Sequence, residues 1–374
     1  MVQRAVARID FEALRNNLRV LDTLAGDSTE LCPVIKADGY GHGLETALEA
    51  ARLEGVTRVA VATGEEAARV RRADESMGIL VLGVLTPPEL EQALKARSEI
   101  SVWTADFLDL LSTLSTAGGE PVKVHLKYDT GMGRLGSRDP ELILSLGEQA
   151  ERDPGLRLTG LWTHFATADE PDSEFLDHQL DQFEALAGEF KSRHPETILH
   201  AANSGAMLTR PRSRLDLVRP GVAVYGMDPF GRDATEHGLR PVLSLHSWVA
   251  AVKPIEPGQS VGYGRTWVAE AETSIGTVPI GYGDGFRRAL SNSGTVLIRG
   301  DHYPVVGTVS MDNITIDLGP DPSVLTGDEV TLIGRDGESS ISAEEMAEIL
   351  DTINYEVTTG ITSRVTREVV GKSA

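Results

Sequence analysis

The chain has 374 residues, 41% of them hydrophobic, and a net charge of -21, enough for a large barrel with an added domain and unfavourable to nucleic acid or anionic membrane as partners. No run of about 18 apolar residues occurs, and the opening MVQRAVARIDF has no apolar signal-like stretch, so a cytoplasmic protein with no membrane association is expected. The single cysteine, Cys32, rules out an intrachain disulfide and a cysteine-rich metal site, and its apolar setting suits a packed, inert thiol.

In chain order, a short strand at 3-10 precedes an amphipathic helix at 11-24, where Phe11, Leu14, Leu18 and Leu21 fall at helical spacing. Apolar runs bounded by turn residues then predict eight strands, at 31-36, 58-63, 78-83, 99-103, 122-127, 157-163, 197-200 and 215-219. Helical patterns at 64-73, 87-97, 104-117, 138-150 and 173-192 lie between them. Eight strands alternating with helices predict an α/β fold, a (β/α)8 TIM-type barrel over residues 1-230, with the 3-10 strand free to pair elsewhere. After about Phe230 the helices cease, and strands at 243-255, 272-281, 294-299, 303-318 and 328-334 with one helix at 342-350 predict a mostly β domain over 231-374.

In such barrels chemistry collects at the C-terminal strand ends. Those ends carry Lys36, then Lys127, Asp129 and Arg134, then His164, then His200, Asn203 and Ser204, and last Arg219. Only seven of the 35 basic residues are lysines, and Lys36 and Lys127 both stand at strand ends, where lost hydration lowers an amine's pKa and makes it a Schiff-base nucleophile. Arg219-Pro220-Gly221 ends the eighth strand, where a glycine lets backbone N–H groups approach an anion and Ser204 can add a hydroxyl. A phosphate site beside a reactive lysine points to pyridoxal 5'-phosphate. An arginine at the ring nitrogen would leave it unprotonated and the electron sink weak, which suits removing and promptly returning an α-proton, that is, racemisation. Racemisation needs a second base opposite Lys36, and Tyr263 and Tyr282 are both candidates.

The motifs ARIDFEALRNNL, VIKADGYGHG, KYDTGMGRLG, GLWTHFATADE, HAANSGA, RPGVAVYG, VGYGRTW, GYGDGF, VSMDNITID and NYEV resemble, over essentially the whole length, those of the alanine racemases, fold type III pyridoxal-phosphate enzymes. The resemblance implies that Lys36 carries the cofactor and is the base for D-alanine, and that Tyr263, from the other subunit of a head-to-tail homodimer, is the base for L-alanine. It implies that His164 and Arg219 connect that tyrosine to the ring nitrogen, and that Tyr40, Asn203, Ser204, Tyr355 and the backbone of Gly221 and Val222 help to bind the cofactor, chiefly its phosphate. Arg134 and the Met311 backbone would take the substrate carboxylate, and Lys127 stands at the spacing of a lysine that is carbamylated in many members. D-alanine for peptidoglycan would be the product.

Departures from the family pattern are Arg287 and Arg288 after GYGDGF, Ser310 before Met311, and the segment ITSRVTR, all bearing on the entrance and so on substrate breadth. Competing readings are a racemase of broader specificity acting on serine or lysine, a basic-amino-acid decarboxylase, and a non-catalytic cofactor carrier. The decarboxylase would need a late catalytic cysteine that this chain lacks, and the carrier would lack residues 231-374.

Overall fold

The computed structural model describes residues 3–115, 120–320 and 322–372. Its centre is a ring of eight parallel strands: β2 (Glu30–Leu31), β3 (Arg58–Val61), β4 (Gly78–Val81), β5 (Glu99–Val102), β6 (Val122–Lys127), β7 (Leu156–Trp162), β8 (Ile198–His200) and β9 (Leu217–Val218), preceded by β1 (Val6–Asp10) outside the ring. Strands β3, β4 and β5 are buried almost throughout, as parallel strands covered on both faces must be, which explains why they are mostly apolar, with Glu99 and Ser101 of β5 the buried polar exceptions.

The ring closes at its first strand in an irregular way. Regular strand geometry there ends at Leu31. Cys32 N and Val34 N still donate to Val218 O (2.9 Å) and Pro220 O (2.8 Å) on the β9 side. Toward β3, Pro33 has no N–H to give, and closure rests on bonds from Ile35 N to Ala60 O and from Ala60 N to Pro33 O, both 2.9 Å. The strand expected over 31-36 is therefore broken, and Lys36 opens a turn instead of ending a strand.

The intervening helices start where capping chemistry allows. Asp10 accepts from Ala13 N at 2.9 Å to cap Phe11–Ala25, and Thr63 with Glu66 forms a reciprocal capping box at Gly64–Ala73. The helix expected at 104-117 runs over Ala105–Ser115, and residues 116 and 117 lie outside the described residues. Leu44–Leu53 and Ser204–Thr209 are helices the sequence pattern did not announce.

The remaining chain is mostly β. Leu243–Trp248 pairs antiparallel with β1 (Val6↔His246, Ile9↔Leu243), and Thr366–Val370 pairs parallel with the other edge of β1 (Val6↔Thr366, Asp10↔Val370). The expected strand 243-255 divides, its second half Ala251–Ile255 joining a three-stranded sheet with Thr273–Val278 and Ile314–Gly319. The expected strand 303-318 likewise divides into Asp301–Pro304 and Ile314–Gly319. Between them Gly307 has φ +75 and lies so close to the backbone of Val261 that an added Cβ would stand 2.7 Å from its oxygen. The loop thus released carries Ser310 and Met311. It rests on the hairpin of Ser260–Val261 and Trp267–Val268, whose tip carries Tyr263, through a 2.8 Å bond from Thr308 Oγ1 to Tyr263 O.

Two contacts lock this second region onto the loop after Lys36. Arg367 donates to Gly41 O (3.0 Å), Thr362 O (2.6 Å), Val365 O (2.8 Å) and Ile361 O (2.6 Å). Gly41 has φ +85, and a Cβ there would stand 2.3 Å from Thr358 O. Gly41→Ala is expected to lower stability by about 1–3 kcal/mol, since backbone, not a flexible side chain, blocks the new methyl. A shift of the urea midpoint with unchanged slope checks this, and an unshifted midpoint refutes it.

Candidate active site

Lys36 begins a turn in which Ala37, Asp38, Gly39 and Tyr40 all have φ between 51 and 61, one full turn of left-handed backbone. Three of these four are not glycine, so the turn is strained and must be held. Glu66 holds its start, accepting from Ala37 N at 2.7 Å while its other oxygen accepts from Ala62 N at 2.8 Å. Asp38 accepts from Leu44 N at 3.2 Å and from Arg69 at 2.7 Å, tying the end to the next helix and its neighbour. The turn brings Tyr40 back under β9, where its ring stacks on Tyr225 at 5.1 Å and tilts against Tyr355 at 6.1 Å. Gly221 is required there, because a Cβ would lie 2.3 Å from the Tyr40 hydroxyl. Burial pushes both phenols, Tyr40 and Tyr355, above their ordinary pKa, so they stay protonated donors.

Ser204 Oγ accepts from Gly221 N at 2.9 Å and from Ala223 N at 3.3 Å, which leaves its proton available to a ligand. Val222 opens the tight turn Val222–Tyr225 beside it. Asn203 caps Ser204–Thr209 through Ala206 N at 3.1 Å. One corner of the mouth thus gathers three hydroxyls with the backbone of Gly221 and Val222.

The opposite corner is cationic. Arg219, 2% exposed, donates from Nη2 to Thr163 O (2.8 Å) and Ala201 O (3.0 Å) and from Nη1 to His200 Nδ1 (2.7 Å), while its buried Nε has no partner among the described residues. Its guanidinium lies 4.8 Å over the Trp162 ring, and Lys127 Nζ lies 3.8 Å over the same ring. Burial and the charges of Arg219 and Arg134 bring Lys127, 2% exposed, down to about 7. Burial, then Arg134, also lowers Lys36, against an opposing pull from Glu66. His164 is held well below the imidazole range by burial and by Arg219, Lys127, Arg134 and Lys36. Burial brings Arg219 itself only to about 10, so it stays charged. Cys32, pushed up to about 12 by burial, is inert as expected.

Arg134 stands on the loop after β6, shaped by Asp129, which accepts from Gly131 N (3.1 Å), Gly133 N (3.0 Å) and Arg138 (2.9 Å). Its guanidinium is exposed and has no hydrogen-bond or ion-pair partner among the described residues.

The structure therefore brings together Lys36, Tyr40, Lys127, Arg134, His164, Asn203, Ser204, Arg219, Gly221, Val222 and Tyr355. Tyr263 is set apart, 74% exposed at its hairpin tip, and Met311 is 51% exposed on the adjoining loop, its amide N bonded to nothing among the described residues. Tyr282 is exposed as well, its backbone N bonded to Ser310 O at 3.0 Å. Sequence reasoning passed over Trp162, Tyr225, Glu66, Glu99 and His125. The last two left a signal, since Glu99 and His125 are ionisable side chains within the buried strands β5 and β6.

The depressed lysine has a thermodynamic consequence. The unfolded chain binds a proton at Lys127 up to the ordinary lysine value, but the folded chain only up to about 7. Burial thus costs stability in full below that pH, and the cost falls away as the pH rises toward the unfolded value. In carbon-dioxide-free buffer, Lys127→Met should be more stable than the parent at about pH 6, by a margin that vanishes near pH 10. Thermal unfolding at both values checks this, and a margin that does not change with pH contradicts it.

A family model for the alanine racemase N-terminal domain matches residues 9–229, and one for the C-terminal domain matches residues 242–369. The alanine racemase of Cutibacterium acnes is 40% identical over 98% of this chain and 98% of its own. That of Geobacillus stearothermophilus is 41% identical over 96% of this chain and 92% of its own. Among solved structures, the alanine racemase from Streptomyces coelicolor A3(2) superposes with a TM-score of 0.92 at 38% identity, covering 98% of each chain. That from Bartonella henselae, with covalently bound pyridoxal phosphate, superposes with a TM-score of 0.88 at 28% identity, covering 98% of this chain and 99% of its own.

Proposed function

The chain belongs to the alanine racemase family, pyridoxal-phosphate-dependent isomerases that interconvert L- and D-alanine, and from that premise we propose how its own residues divide the work. One observation carries the reading: the barrel mouth gathers Lys36, Lys127, Arg134, His164 and Arg219, and the buried Arg219 keeps an unpartnered Nε–H.

Pyridoxal 5'-phosphate, when bound, supplies a conjugated ring that draws electrons from the substrate α-carbon and so acidifies its proton. The residues present suit that group. Lys36 would hold it covalently through Nζ, whose lowered pKa makes the neutral, nucleophilic amine accessible. The hydroxyls of Tyr40, Ser204 and Tyr355 and the backbone of Gly221 and Val222 would hold the phosphate, with Asn203 fixing the Ser204 helix and His164 beside Arg219. The Arg219 Nε–H would donate to the ring nitrogen. A guanidinium with its pKa near 10 keeps its proton at neutral pH, so the ring nitrogen stays unprotonated.

Two groups would move the proton. Lys36 Nζ takes it from, and returns it to, the face that yields D-alanine, and the partner subunit's Tyr263 Oη serves the L face. The exposure of Tyr263 and Met311 supports a homodimer with shared active sites, since a base at 74% exposure needs another surface to exclude water from it. Arg134 would take the substrate carboxylate in a charge-assisted pair, with a Met311 amide beside it. Lys127 suits carbamylation: its neutral amine attacks carbon dioxide, an N–C bond forms, a proton leaves, and the resulting anion faces Arg134. Serine or lysine racemisation is not favoured, as the relatives compared are named for alanine. We assign the product to peptidoglycan synthesis in the cytoplasm; among the described residues no helix is long and apolar enough to cross a membrane.

L-alanine incubated with the cofactor-loaded protein should approach an equal mixture of enantiomers by chiral chromatography. Lys36→Ala should abolish turnover in both directions and the cofactor's visible absorbance shift. Tyr263→Phe should bind cofactor normally but slow proton removal from L-alanine by roughly 10²–10⁴-fold. Mixing the two variants should restore activity that neither has alone, because one site in each mixed dimer is then intact. A mixture as inactive as its parts would place both bases on one chain.

A further inference from the structure

Inside the barrel, beneath Arg219, runs a line of buried side chains that the proton-transfer chemistry leaves unused. Arg219 Nη1 lies 2.7 Å from His200 Nδ1, His200 Nε2 lies 2.9 Å from His125 Nδ1, and His125 Nε2 lies 2.6 Å from Glu99 Oε2. All four side chains are essentially inaccessible to water. We propose that Glu99 and His125 are positioning residues that, by fixing His200 as a hydrogen-bond acceptor toward Arg219, determine which N–H Arg219 presents to the cofactor's ring nitrogen. The proposal rests on the placement of Arg219 at that nitrogen.

The direction of the line is set by its ends. A guanidinium can only donate, and a carboxylate can only accept. Burial would raise the Glu99 carboxyl, but its bond to His125 and the charges of Arg58 (3.5 Å) and Lys123 (3.6 Å) outweigh this and hold it at about 2. Burial holds both imidazoles below their ordinary pKa, with Arg219 and Arg58 adding to the effect, so each ring carries one proton. Only one arrangement then satisfies every atom. His125 donates from Nε2 to Glu99, His200 donates from Nε2 to His125, and His200 Nδ1 accepts from Arg219. Reversing His200 would set its Nδ1–H against the Arg219 N–H. Reversing His125 would set its Nδ1–H against the His200 Nε2–H while its bare Nε2 faced the Glu99 carboxylate. Buried groups are left unpaired in either case.

The surroundings are cut to fit the line. Trp162 stacks parallel to His200, 5.7 Å between centroids with 4° between planes, which fixes the plane in which Nδ1 faces Arg219. Gly160 makes room for His125, since a Cβ there would lie 2.2 Å from its Nδ1. With Nη1 occupied by His200 and Nη2 by two carbonyls, Nε is the nitrogen of Arg219 left without a partner. A free swing of the guanidinium would put another N–H, or none, at the ring nitrogen.

Two measurements test this. In the wild-type protein labelled with 15N in its imidazoles, long-range proton–nitrogen correlation should show His125 and His200 neutral and protonated on Nε2, assigned by comparison with His125→Gln and His200→Gln. A proton on His200 Nδ1, or an imidazolium there, overturns the proposal with or without cofactor. In the loaded enzyme, Glu99→Gln should lower kcat in both directions roughly 10- to 100-fold with little change in KM, as for a displaced catalytic group. It should also move the visible absorption of the cofactor in the direction seen with Arg219→Gln. His125→Gln should do the same and serves if Glu99→Gln does not fold. If Arg219→Gln moves the spectrum but neither relay variant does, the relay fails alone. If Arg219→Gln leaves the spectrum unmoved, the placement of Arg219 at the ring nitrogen fails, and the relay with it.

Discussion

The mouth of the barrel is governed by one buried cation. Taking a guanidinium out of water costs several kcal/mol unless its N–H groups are paired, and the strand ends meet that need with the carbonyls of Thr163 and Ala201, the imidazole of His200 and the face of Trp162. Once fixed, the charge adds to burial in lowering the protonation of its neighbours Lys127 and His164. Lys127 and His164 are lowered by burial with Arg219 the next contributor to each, and Lys36 by burial and Arg134. A site that would elsewhere hold two ammonium groups and an imidazolium holds neutral, nucleophilic nitrogens more readily. The same charge that discourages other cations invites an anion.

A second constraint is backbone. Lys36, the lysine proposed to hold the cofactor, sits at the start of a left-handed turn whose non-glycine residues each cost on the order of 1–2 kcal/mol. Such a turn persists only where its surroundings leave no alternative. Glu66 fixes its first amide and Asp38 its exit, while Arg367 and the close approach of Thr358 to Gly41 hold the chain just beyond it. The Arg367 anchor reaches in from within Thr366–Val370, the strand that pairs with β1. The second region therefore does more than add surface, since it holds the loop that follows Lys36 in place.

These constraints explain what could be read in the sequence. The barrel was legible because parallel strands buried on both faces write themselves as mostly apolar runs, and because Thr63-x-x-Glu66 and Asp10 announce helix starts. Lys36 was legible as a residue, but its conformation was not. Pro33 was a local sign that the strand could break, but nothing local says that the residues after Lys36 turn left-handed, because partners remote in the chain impose that. The strand expected over 303-318 failed for a similar reason: its apolar alternation is real, but Gly307 bends where Val261 crowds it. Glu99 and His125 stayed hidden because a polar residue in a mostly apolar strand gives no sign of which strand supplies its partner, and the Glu99–His125 pair spans two neighbouring strands.

Racemisation asks for a proton carrier on each side of a planar centre, and in the proposed arrangement the barrel mouth supplies one of them. In the proposed arrangement the other comes from a hairpin with a small core of its own, Ile255, Val261, Ala269, Ile275 and Val306 with Trp267 packed against them, separate from the large core of the barrel. That separation matters physically. The hairpin is ordered by its own packing and by the bond from Thr308 to the Tyr263 backbone, so its tyrosine can be exposed in one chain without being loosely held. Its carrier is thus positioned before it meets a partner, and assembly has only to bring two rigid surfaces together. The two faces then differ in kind. In that arrangement an amine depressed by burial and a neighbouring cation would serve one, and a phenol hydrated until the subunits meet would serve the other.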